Sequence, residues 1–62
     1  MRIYETIKYK DFIANLYLLP ETYQWEWVCE ETKNRLKLSI TYTFEEVLER
    51  GKTWLAGLYN MK

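Results

Sequence analysis

The chain has 62 residues, in which nine Lys and Arg balance nine Asp and Glu and histidine is absent. A chain of that length forms one small domain, residues 1–62, and buries only about 60% of the surface its unfolded form exposes. Zero net charge sets it apart from dedicated nucleic-acid binders, which carry a basic excess. The single cysteine, Cys29, excludes an intrachain disulfide and with it the disulfide-stapled secreted class.

Aromatic residues supply what the length withholds: three Trp, six Tyr and two Phe, each able to bury roughly 150–250 Å². The opening residues Met-Arg-Ile-Tyr-Glu have no apolar core of a signal peptide, and no run is long enough to span a bilayer. The expected location is the cytoplasm, with no membrane partner.

In chain order, residues 3–9 are rich in β-branched and aromatic side chains and predict a strand. Lys10-Asp11 is the expected turn. Residues 12–19 predict a second strand, apolar on both faces: Phe12, Ala14, Leu16 and Leu18 on one, Ile13, Tyr17 and Leu19 on the other, with Asn15 among the latter. Pro20 to Tyr23 is a loop. In residues 24–30, Trp25, Trp27 and Cys29 alternate with Gln24, Glu26 and Glu30, the period of a half-buried strand. The polar stretch 31–35 predicts a hairpin turn with Asn34 in a left-handed conformation. Strict alternation through residues 36–42 predicts a fourth strand.

After Tyr42 the period changes. Thr43-Phe44-Glu45-Glu46 fits a capping box. At about 100° per residue, Phe44, Val47, Leu48, Gly51, Trp54, Leu55, Leu58 and Tyr59 fall on an arc of roughly 140°. This predicts a helix over residues 44–58, with Glu46 and Arg50 spaced for an exposed ion pair. Gly51 lies mid-arc, where glycine costs about 0.8–1 kcal/mol relative to alanine; a tryptophan ring packed over the backbone is the expected reason.

The fold class is therefore α+β: a three- or four-stranded antiparallel sheet with one C-terminal helix packed on one face. Trp25, Trp27, Cys29, Leu36, Leu38 and Ile40 are expected beneath the helix. Phe12, Ala14, Leu16 and Leu18 join them, because the opposite register would bury Asn15.

Catalytic equipment is not evident. Without histidine, the commonest general base and the usual activator of a cysteine nucleophile are missing. Cys29 fits as a small buried hydrophobe. Glu26 and Glu30 share a strand face four positions apart, roughly 13 Å, too far for a carboxylate pair, and are expected to be solvated or paired with Lys37. No glycine-rich phosphate loop occurs. The expectation is a non-enzymatic chain with no cofactor and no metal.

A helix covers one side of a sheet and leaves the other free. On that side the register puts Ile13, Asn15, Tyr17, Leu19, Gln24, Glu26, Val28, Glu30, Lys37, Ser39 and Thr41, with either Tyr4 or Ile3 and Ile7 from the first strand. Tyrosine, with an apolar body and a polar tip, suits an interface. The residues expected to meet a partner are Tyr4, Asn15, Tyr17, Leu19, Glu26, Val28, Glu30 and Lys37. The partner is another protein, or a second copy in a small homodimeric regulator.

Two resemblances sharpen this. The layout of Trp25-Glu26-Trp27-Val28, a turn, then Leu38-Ser39-Ile40-Thr41-Tyr42-Thr43-Phe44-Glu45-Glu46-Val47 resembles AP2/ERF and integrase-arm domains, which lay a three-stranded sheet in the DNA major groove; this implies nucleic-acid binding by the free sheet face. Those domains use several arginines on their first two strands, where this chain offers Arg2, Lys8 and Lys10. As a very short, neutral, aromatic-rich β-β-β-α chain, it also resembles small phage and mobile-element proteins, anti-CRISPR inhibitors among them. That resemblance implies an inhibitor that blocks a host defence complex by covering its surface.

Overall fold

The computed structural model describes residues 2–61. Its elements are β1 (Glu5–Tyr9), β2 (Phe12–Leu19), β3 (Gln24–Cys29), β4 (Arg35–Ser39) and α1 (Phe44–Asn60). The strands form an antiparallel meander in the order β1-β2-β3-β4. The helix follows, an α+β layout.

Two-residue hairpin turns of the primed type need positive φ at the first central position. Lys10 takes that position between β1 and β2, at φ 56°. Between β3 and β4 the left-handed residue is Lys33, at φ 65°, and not Asn34. The Lys33 amide returns to the Cys29 carbonyl at 2.9 Å, and Asn34 instead donates its side-chain amide to the Thr32 hydroxyl at 3.0 Å.

Register fixes the buried face. Ala14 lies between Ile7 and Cys29, and Leu16 faces Trp27, which faces Leu36. Ala14, Leu16, Trp27 and Cys29 are fully buried. Helix residues Val47, Gly51 and Leu55 close over them, at the spacing of one helical stripe. The Trp27 indole Nε1–H donates to the Val47 carbonyl at 3.0 Å, so the ring crosses the helix backbone. A Cβ on Gly51 would lie 2.5 Å from Trp27 Nε1 and 2.8 Å from Cζ2. The helix starts as expected: Glu46 N donates to Thr43 Oγ1 at 3.2 Å and Thr43 N to Glu46 Oε1 at 2.9 Å.

Several expectations are corrected. β4 ends at Ser39, three residues short of Tyr42, because the chain turns there to reach the helix: Tyr42 N donates to the Ser39 carbonyl at 3.3 Å. Ile40 is therefore 42% exposed and lies outside the core. β1 starts at Glu5, not Ile3, and α1 runs on to Asn60. Glu46 and Arg50 do not pair. The Glu46 carboxylate is occupied by the cap, and the Arg50 guanidinium lies 4.5 Å from the centre of the Tyr42 ring. No helix among the described residues is long and apolar enough to cross a membrane.

Candidate functional site

With α1 on one side, no described element crosses the other side of the sheet. Strand alternation and the register place three rows of side chains there. Thr6, Asn15, Val28 and Arg35 form one row, Tyr17, Glu26 and Lys37 the next, and Leu19, Gln24 and Ser39 the third. Ile13 lies beyond the first row, opposite Lys8.

Val28 faces Asn15 directly, so Ile13 and Tyr17 are its diagonal neighbours on β2, about 7–8 Å away. Leu19 extends this strip along β2. All four apolar side chains are half-buried, and they run down the middle of the face.

Polar groups are set into the strip. Asn15 is only 6% exposed although no helix covers it. Its Oδ1 accepts from Thr6 Oγ1 at 2.8 Å, and its Nδ2 donates to Glu30 Oε2 at 2.5 Å. Flanking side chains on neighbouring strands thus bury Asn15 on the free face, the side where the register argument expected it exposed. Glu26 is 4% exposed, not solvated, and its partner is Arg35 at 3.6 Å, not the directly opposed Lys37. The Arg35 side chain is 65% exposed, so water screens the pair, which contributes under about 1 kcal/mol. Removing Arg35 would take from a buried carboxylate the ion-pair partner it has in this structure.

The structure brings seven of the expected residues together on this face: Asn15, Tyr17, Leu19, Glu26, Val28, Glu30 and Lys37. Tyr4 is elsewhere. Ile7 takes the inward position on β1, and the Tyr4 ring packs edge-on against Trp25, with centroids 5.3 Å apart. Trp25 in turn meets Phe44 of the helix, so Tyr4 belongs to the helix side. Two residues that order the face were not anticipated. Thr6 was hidden by the uncertain start of β1. Arg35 was assigned to the turn, though its even spacing from Lys37 was the available signal.

Glu26 and Glu30 have separate partners, and Glu31 Oε1 accepts from Ile13 N at 2.8 Å. The Cys29 sulfur is buried, 3.8 Å from that same Glu31 oxygen. Among the described residues no group of three His, Cys, Asp or Glu is placed to hold a metal ion. What this arrangement presents is an ordered, partly apolar sheet face.

Comparison of the chain with protein-family models, with curated proteins and with solved structures found no match. The geometry of the face therefore carries the functional reading.

Proposed function

We propose that this chain is a non-catalytic protein-binding module that lays the uncovered sheet face on a larger protein. In its most concrete form it is a small stoichiometric inhibitor of the anti-CRISPR kind, acting by occlusion. One observation supports this most: Ile13, Tyr17, Leu19 and Val28, all half-buried, gather around the bonded Asn15 on one face of the two central strands, on a side that the chain's own helix does not reach. Monomers rarely leave such clusters without a use. Asn15 and Glu26 are already tied into bonds, so binding orders few side chains and costs little entropy.

The test is co-purification of the tagged chain from nuclease-treated bacterial lysate, with mass identification of what is retained. Tyr17→Ala and Leu19→Glu should each lower recovery of a single large protein at least tenfold while circular dichroism stays unchanged. Recovery that persists through both substitutions would remove the uncovered face from the mechanism. Salt-dependent binding to mixed DNA duplexes would favour the DNA-reading alternative. A light-scattering mass near twice 7.7 kDa would favour a homodimer.

A further inference from the structure

Among the described residues, the outward main-chain groups of Arg35 and Lys37 on β4 meet no neighbouring strand and lie beside a groove, whereas the Ser39 carbonyl accepts from Tyr42 N at 3.3 Å. Two backbone bonds set the phase of the β3–β4 ladder: Cys29 N to the Asn34 carbonyl at 2.9 Å, and Ile40 N to the Tyr23 carbonyl at 3.2 Å. Leu36 faces Trp27 and Leu38 faces Trp25. Alternation in an antiparallel ladder then points the Leu36 and Leu38 amides and carbonyls at β3, and those of Arg35 and Lys37 away from the sheet. β4 is the last strand in the sheet order, so no described strand meets these outward groups. The opposite edge differs, because the Thr6 amide on β1 is occupied by Glu5 Oε1 at 3.0 Å.

The two sides of the β4 edge also differ in chemistry. Arg35 and Lys37 are exposed and share the uncovered face, and among the described residues Lys37 makes no ion pair. On the helix side a groove of about 430 Å³ runs between β4 and α1, lined by Leu36, Leu38, Glu49, Arg50, Thr53 and Trp54. A strand added along this edge would drop alternate side chains over Leu36, Leu38 and Trp54 and set the others beside Arg35 and Lys37.

We propose that the β4 edge receives an extended segment of a partner protein in which apolar residues alternate with Asp or Glu. β4 is five residues long, and the segment matches it. A second copy of β4 does not fit. Antiparallel pairing centred on Lys37 would set that lysine against itself, and like charges directly opposed across a ladder are destabilising. Cations on an edge discourage self-pairing, and Lys37, which makes no ion pair among the described residues, favours an acidic strand. The proposal does not rest on the uncovered-face reading.

Fluorescence anisotropy of a labelled octapeptide alternating Val and Asp, titrated with the full chain, tests it against the Val and Lys counterpart. Lys37→Pro removes the central outward N–H without losing a bond to β3, a placement proline tolerates on an edge strand. Lys37→Glu reverses the charge. Saturable binding of the Asp peptide is expected, at least tenfold tighter than the Lys peptide, abolished by Lys37→Pro and weakened at least tenfold by Lys37→Glu. Should Lys37→Pro not fold, Lys37→Glu and the slowing of Lys37 amide exchange by the Asp peptide decide. Absence of saturable binding, equal binding of the two peptides, or indifference to Lys37→Glu would overturn the proposal. Tyr17→Ala should leave peptide binding unchanged, which separates this edge from the uncovered face.

Discussion

Gly51 and Trp27 are each other's explanation. The indole lies where a Cβ at position 51 would be, held by the Val47 carbonyl on one side and the buried sheet on the other. Alanine would gain about 0.8–1 kcal/mol of helix propensity but overpack a site whose neighbour is a rigid buried ring, which costs about 1–3 kcal/mol. Gly51→Ala should therefore lower stability in urea unfolding. Gly57 is the control: a Cβ there meets nothing within 4 Å, so Gly57→Ala should raise stability by about 0.5–1 kcal/mol. If both substitutions stabilise, the ring does not constrain the helix. A glycine in the centre of an apolar arc was enough to expect a tryptophan ring over the helix backbone. Which tryptophan it is and the destination of its N–H were not readable, because both depend on where along the sheet the helix lands.

At the scale of the element, local patterning was the most legible. The period-two alternation read over residues 24–30 and 36–42 falls on β3 and the greater part of β4, and the capping box at Thr43 forms as expected. Thr43→Ala removes the acceptor for the Glu46 amide and should cost about 1 kcal/mol, read as a lower thermal midpoint with unchanged strand signals. Ends of elements were less legible. Ile40-Thr41-Tyr42 continues the alternation of β4, yet the chain needs those residues to turn from the sheet to the helix cap. A geometric demand of the connection thus overrides a local preference. Tyr4 was misplaced for a related reason: a five-residue β1 has no pattern strong enough to reveal its phase. Asn15 and Glu26 show a third limit. Their burial comes from neighbours on adjacent strands, and side-chain shielding across a sheet is invisible along one segment.

The whole molecule is a sheet with one strong side. β2 and β3 are flanked on both edges and hold Ala14, Leu16, Trp27 and Cys29, whereas β1 and β4 each have one edge that no described strand meets. Amide exchange measured by NMR should be slowest in β2, β3 and the helix turns around Val47 and Leu55, and fastest in the outward amides of β4. Uniform protection across all four strands would mean that something else shields the edges. The division into a helix-covered and an uncovered side was readable from the sequence because the register of two hairpins suffices to set it. The capacity of the β4 edge was not, since it depends on bond phase and on a groove built from two distant elements. The bond from Trp27 to Val47 spans 20 positions, and it also bears on how the chain is made. During synthesis the three hairpins can zip up in turn, each from its nearest neighbour, but the largest ring of the core has no acceptor until the helix emerges. Until that moment the helix-facing side of the nascent sheet lies open, and a chaperone that grips it then would be competing with α1.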